Sequence, residues 1–391
     1  MKSYISFLAI LIATSSCSFM GDNGSLDGPG PIIGDGTSTA GSTLLSGTQS
    51  TSITLTNNNP DPTLPDYCIE GNYNISASVI IEPGVIICMK ENARITVNSS
   101  GSLNATGTAA SPITIRGISP IAGYWGSLVF SGSNSTSNNL VHVNISDGGS
   151  NSSWDAIVYG YSSGRVYMDN CNITRSSSNG VFIYSSSFNL VGLSNTTISS
   201  CQQAPLLIQA NHIGSLSESI TGAGNGTNNI IVDNATVTND ATWKKTGIPY
   251  FFTGTTTLSA DIIINPGAQF IMKSTARITV NSSGSLNAIG TPSSMIRFTG
   301  ENNIAGSWQG IVFSGSNNPS NIMRYCEVSY GGNNSSWNAL IYLYSSSQFT
   351  LGNSSIHDSQ TWGLMNYNSS NTFTDEGTNT FYNNASGNIG T

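Results

Sequence analysis

The chain has 391 residues, 38% of them hydrophobic, which is enough apolar material for a substantial core and too much for a disordered chain. Only 8% are charged, while Gly, Ser, Thr and Asn crowd the sequence, a balance that favours turns and strands over helices. The net charge of -8 is carried by thinly spread groups with no basic patch or stripe, which argues against nucleic acid and makes an anionic polymer a poor match.

At the N-terminus Lys2 precedes an apolar run from Tyr4 to Ala13, followed by the small residues Thr14, Ser15 and Ser16 and then Cys17. This pattern predicts a signal peptide over 1–16, and the run is too short to span a bilayer. The ending resembles the lipobox of bacterial lipoproteins, although Thr14 stands where Leu is usual. That resemblance implies acylation of Cys17 and, with Ser18 behind it, sorting to the outer membrane; the alternative is a plain signal peptide with an incidental cysteine and a secreted product. Membrane contact is then through the lipid anchor alone. Residues 17–56 are dominated by Gly, Ser, Thr and Pro without apolar periodicity and predict a tether with a reach of about 30 to 40 Å.

Beyond the tether the sequence repeats itself. ARITVNSSGSLNA occurs at 93–105 and, unchanged, at 276–288, an offset of 183 that also carries VFSGSN from 129–134 to 312–317 and NSSW from 151–154 to 334–337. Pro83-Gly84, Trp125, Gly148-Gly149 and Tyr184 recur as Pro266-Gly267, Trp308, Gly331-Gly332 and Tyr367. Two units follow, 57–239 and 240–391, read as one continuous solenoid.

Inside each unit, short extended runs such as Ile113 to Arg116, Leu140 to Ile145 and Ala156 to Tyr161 alternate with Gly, Asn and Ser clusters. The beat is 23 residues from Tyr161 to Tyr184 and 25 from Ile173 to Ile198, which predicts stacked β-coils. Roughly fourteen coils at about 4.8 Å would make a rod some 65 to 70 Å long. The runs NCNITRSSSNGVFIYSSS at 170–187 and SNTTISSCQQAPLLIQ at 194–209 resemble coils of the right-handed parallel β-helix, pectate lyase-like superfamily, and the likeness covers most of 63–391. It implies an all-β fold and is silent on activity, because that architecture carries lyases, hydrolases and adhesins alike. Residues 57–78 are candidates to cap the first end.

Six cysteines are present. Cys68 and Cys88 stand about one coil apart and are replaced together, by Phe251 and Ile271; Cys171 and Cys201 are replaced by Ser354 and Asn384. Each pair is a candidate disulfide in an exported protein, with stacked free thiols as the alternative. Cys326 takes the place of Val143 and reads as a buried hydrophobe.

Catalytic signals are sparse. Lyase or hydrolase chemistry on a β-helix needs clustered carboxylates, and the acids here are scattered; Asp147 and Asp169 with Arg165 nearby make the best candidate set. His142, His212 and His357 lack metal-ligand spacing, and in a strand His357 and Asp358 would point to opposite faces. No metal or other cofactor is implied. Lys90 and Arg94 recur as Lys273 and Arg277, with Arg94 directed outward from its strand. Trp125 and Trp308 read as core caps, Trp154 and Trp337 as exposed.

The aromatic pattern is the most suggestive. Alternation in Ala156–Tyr161 puts residues 156, 158 and 160 inward and Tyr159 and Tyr161 outward; Phe182 and Tyr184 fall in the same places one coil later, and Tyr342, Tyr344 and Tyr367 recur in the second unit. Stacked coils would align these rings into a ladder suited to sugar rings or an apolar partner; the alternatives are that a loop covers the stripe or that Tyr serves strand propensity. The sequence thus reads as a non-catalytic binding or adhesion protein of the bacterial surface, presenting a rigid face to carbohydrate or another cell-surface molecule. A polysaccharide lyase or glycoside hydrolase is the alternative.

Overall fold

The strands stop where the backbone turns left-handed. After Asn139–Val141, Arg165–Asp169 and Asn189–Ser194 come His142, Asn170 and Asn195 at φ 49°, 53° and 46°, and after Val143–Ser146, Asn172–Thr174 and Thr197–Ser199 come Asp147, Arg175 and Ser200 at φ 72°, 54° and 55°. A left-handed non-glycine residue costs about 1 to 2 kcal/mol, so each bend needs support from its neighbours. Coil-to-coil bonds supply it: the His142 amide donates to the Asp169 carbonyl at 3.0 Å and the Asn170 amide to the Ser194 carbonyl at 3.2 Å. Asn170 and Asn195 donate through their side chains to the Asp169 carboxylate at 2.7 and 2.9 Å.

Stacking these coils gives a right-handed parallel β-helix, and the computed structural model describes it over residues 39–391. Every pairing between named strands is parallel. Asn144 sits beside Asn172 and that beside Thr197, one residue per coil, which is the register the coil-length spacing predicts. The interior is one continuous apolar column in which Trp125, Phe130, Trp308 and Phe313 are fully enclosed. Trp125 and Trp308 keep their indole N–H groups satisfied by donating to the Ser146 and Ser329 carbonyls at 2.7 and 2.8 Å.

The solenoid begins earlier than the composition of the tether predicts. Thr43–Gln49 and Ile53–Leu55 are strands; the first pairs with Tyr67–Ile75 and the second with Ser78–Ile81, burying Leu45 and Leu55. Sparse but correctly spaced leucines are enough for an edge strand when a partner edge is waiting. Tyr67–Ile75, inside the stretch read as a cap, is itself a long strand that bends round a corner and serves two faces. Residues 17–38 of the expected tether, Cys17 and the signal peptide lie outside the described residues.

A feature the repeat conceals is a rotation between the two units. Ile86–Met89, Ile113–Gly117, Val143–Ser146 and Asn172–Thr174 form one face of the first unit, while Leu128–Ser131, Ala156–Tyr161, Asn179–Ile183 and Leu206–Gln209 form the next. That second face runs on through Ile230–Asp233 and Tyr250–Phe252 into Gln269–Met272 and Ile296–Gly300. These last two are the copies of Ile86–Met89 and Ile113–Gly117, from the other face. Ala339–Tyr344, the copy of Ala156–Tyr161, stands instead in a separate seven-stranded sheet that begins at Ala235–Val237. Equivalent strands of the two units therefore occupy different sides of the coil.

Among the cysteines, Cys68 and Cys88 are adjacent in the register and form a disulfide with Cα atoms 4.5 Å apart. Cys171 and Cys201 are not joined: both are free and buried. Register explains this, because Ile173 pairs with Ile198, so Cys171 lies beside Thr196 and Cys201 beside Ser176, at opposite ends of the same short strand pair. Cys326 is free and fully buried.

Candidate functional site

Each unit carries one outward aromatic cluster. In the first, Tyr159 pairs with Phe182 across neighbouring strands, with ring centroids 5.1 Å apart, and stacks on Tyr184 at 6.3 Å and 21°. Tyr161 lies 6.0 Å from Tyr184. In the second, Tyr342 stacks on Tyr367 at 5.7 Å and 29°, and Tyr344 lies 6.0 Å from the same ring. Met365 takes the place of Phe182 beside Tyr342. Cross-strand aromatic pairs of this kind add about 0.5 to 1.5 kcal/mol beyond the area they bury.

The rings divide into a base and a surface. Tyr159 and Tyr342 point outward but are 4% and 3% exposed, covered by half-buried Trp154 and Trp337. Tyr161, Tyr184, Tyr344 and Tyr367 are 45%, 52%, 42% and 56% exposed and form the accessible part of each platform. Phe182 is half-buried. Burial raises the Tyr159 phenol to about 12, helped by the nearby Tyr184, Asp155 and Tyr161, and burial likewise raises Tyr342 to about 12, so both stay neutral donors.

Three departures from what the sequence predicts shape these platforms. Ala156 packs on the outside with Val129 and Tyr159, and both Ile157 and Val158 enter the core. Trp154 and Trp337 are not free in solvent, since the Arg94 and Arg277 guanidinium groups each lie 4.3 Å above the indole ring centroid. Burial lowers the pKa of both arginines. The single ladder that aligned coils would give is instead two ladders on two sides of the solenoid, a consequence of the rotation between the units.

The acidic candidates do not converge. Asp147 is buried and bonded to Arg175 Nε at 2.7 Å and to the Ser146 hydroxyl at 2.7 Å, while Arg165 Nε is buried without a partner. Asp169 is occupied by Asn170, Asn195 and Ser194, and its pKa is lowered because these hydrogen bonds outweigh partial burial. The two aspartates thus tie the corners of the coil to neighbouring residues. Among the described residues no three His, Cys, Asp or Glu side chains come together as a metal-binding group.

His357 and Asp358 do not point apart. Asp358 has φ 55°, which ends the strand and turns its carboxylate back onto His357 Nδ1 at 2.6 Å. His357 Nε2 lies 3.7 Å from Glu327, which also pairs with Arg297 at 3.2 Å, and the imidazole stacks on Tyr382 at 4.4 Å and 7°. Burial opposes the charged imidazole, yet the nearby Glu327 carboxylate and the hydrogen bond with Asp358 win and its pKa is raised. The sequence signal for the arginine clamp was present, since Arg94, Trp154 and their copies are among the few large polar and aromatic side chains kept at the 183-residue offset.

Comparison with family models, with curated proteins and with solved structures gives no match.

Proposed function

We propose that this protein is a non-catalytic binding or adhesion protein of the bacterial surface whose two aromatic platforms hold saccharide rings. One observation carries the reading: the same arrangement, two half-exposed tyrosines over a buried tyrosine braced by an arginine-capped tryptophan, is built twice on outward faces of a rigid stack. Flat rings held in place by cross-strand packing lose little freedom when a sugar stacks on them, so their contact area turns efficiently into affinity. The likeness of the coil sequences to pectate lyase-like β-helices supports kinship with that superfamily, and the ending at Cys17 supports a lipid anchor that holds the solenoid at the outer membrane.

A glycan array probed with the mature protein tests this directly. Tyr161→Ala with Tyr184→Ala should abolish binding at the first platform, and Tyr344→Ala with Tyr367→Ala at the second, with the fold retained and only a small drop in the thermal transition, because the four rings are half-exposed and the core beneath them is untouched. Undiminished binding after all four substitutions would retire the platforms. For the anchor, Cys17→Ser should release the protein from the membrane fraction and abolish incorporation of labelled fatty acid; retention in the membrane would overturn it.

A further inference from the structure

The seam where the units rotate leaves a groove. The first outer sheet ends at Asn189–Ser194, and the next coil lays down a 3-10 helix, Ala210–Ser215, where a strand would continue it; a strand resumes at Ala241–Trp243. A single bridge, Leu193 to Leu216, links the last strand to the segment after the helix. The tighter helix cannot fill the width of a strand ladder, and a groove of about 650 Å³ opens between Ser186–Leu190 on one wall and Asn239–Lys244 on the other. That volume is in the range of small-ligand sites.

The walls of the groove are polar. Inside the stack, the buried Asn138 and Asn321 are tied into the coils: each bonds a neighbouring Ser hydroxyl and carbonyl and a backbone amide of the preceding coil, with matching geometry in the two units. In the groove Ser186, Asn189, Ser215, Asn239, Thr242 and Lys244 line the walls, and their side chains make no hydrogen bond among the described residues. Asn211 on the floor donates to the Ser186 carbonyl at 2.9 Å, which fixes the direction of its amide, and its Oδ1 is buried without a partner. Below it His212 is buried and bonded to the Ser185 carbonyl at 3.1 Å, and burial lowers its pKa, so it adds no charge at neutral pH. Asp240 and Lys244 offer one charge of each sign.

Unspent amide and hydroxyl groups facing one another across a polar cleft with balanced charge suit a ligand that presents many hydroxyls and no net charge. We infer that the seam groove is a second binding site, separate from the tyrosine platforms, for a segment of neutral oligosaccharide, with Asn239, Thr242 and Lys244 on one wall and Asn189 and Ser215 opposite supplying the hydrogen bonds. It is a product of the rotation between the units, so it exists once per chain although the platforms exist twice.

The test uses the full mature chain carrying Tyr161→Ala, Tyr184→Ala, Tyr344→Ala and Tyr367→Ala, so that the platforms contribute nothing, and titrates it calorimetrically with maltohexaose, cellohexaose, mannohexaose and N-acetylchitohexaose. The inference expects at least one of the four to bind. It expects Asn239→Ala with Thr242→Ala to weaken that binding tenfold or more and Ser215→Trp, which fills the groove, to abolish it; circular dichroism of each variant confirms the fold. Absence of binding by all four sugars, or affinity that neither set of groove substitutions changes, overturns the site. Binding by the intact chain that vanishes in the four-tyrosine background would support the platforms and sink the groove.

Discussion

The two units wind the same sequence plan around differently filled cores. Where the first unit has Ile87, Ile115, Val166 and Leu190, the second has Phe270, Phe298, Phe349 and Phe373. Phe270 and Phe298 stack at 4.9 Å and 12°, and Phe349 meets Phe313 and Phe373 at 4.6 and 6.2 Å. A coil touches only its neighbours, so a column of rings can replace a column of aliphatic side chains provided consecutive coils change together. Interior volume in such a fold is negotiated along a column and not across the whole core.

The largest effect expected from this contrast is in the aromatic column. Phe298→Ala should cost about 3 to 5 kcal/mol in denaturant unfolding, and a double-mutant cycle of Phe270→Leu with Phe298→Leu should show coupling of about 0.5 to 1.5 kcal/mol. The same cycle on Ile87 and Ile115, each changed to Val, should show much less; equal coupling in both units would break the distinction. Next is the disulfide, which only the first unit possesses: Cys68→Ser with Cys88→Ser should cost about 3 kcal/mol for a closed loop of this length, and protease sensitivity should rise around residues 43–97 and not in the second unit.

A smaller, sharper comparison uses the matched Asn138 and Asn321 networks. Each Asn→Ala change strands a buried Ser and a backbone amide and should cost about 1 to 3 kcal/mol, with the two values alike; a large inequality would show that the rotation alters local stability. The smallest effect is the pH dependence that distinguishes the bend at Asp147 and Arg175 from its copy at Tyr330 and Asp358. His357 has a raised pKa in the fold, so its ionic contribution is complete below its ordinary value of 6.5 and fades as pH climbs through the folded value. Glu327 is lowered chiefly by the neighbouring His357, so its share is present above the ordinary 4.5 and fades as pH falls. His357→Gln should therefore remove the loss of stability seen on raising pH past 6.5, measured by unfolding at a series of pH values; an unchanged profile would show that the imidazole is not held by its two carboxylates.

The parallel stack and its register were legible because apolar residues such as Ile145, Ile173 and Ile198 recur at coil length and only one face of each strand can be buried. The outward placement of Tyr161 and Tyr184 followed from the same alternation. What stayed hidden depends on backbone conformation or on counting turns. Alternation fails at Ile157 and Val158, which both enter the core, and the pairing of His357 with Asp358 needs a left-handed residue that the sequence does not announce. Spacing alone could not tell that Cys171 and Cys201 sit at the two ends of one strand pair. An offset of 183 identifies which strands are copies but not which side of the coil each copy faces, so one ladder was expected where two stand.

That turn between the copies sets what kind of grip the molecule can have. Two equivalent contact areas in line would let one stiff polymer lie across both and be held by chelation, whereas areas facing separate directions engage separate strands. On the proposed reading, a chain with a glycan on each platform would join two polymers, and its strength would grow with the number of copies brought together instead of with the length of any single glycan.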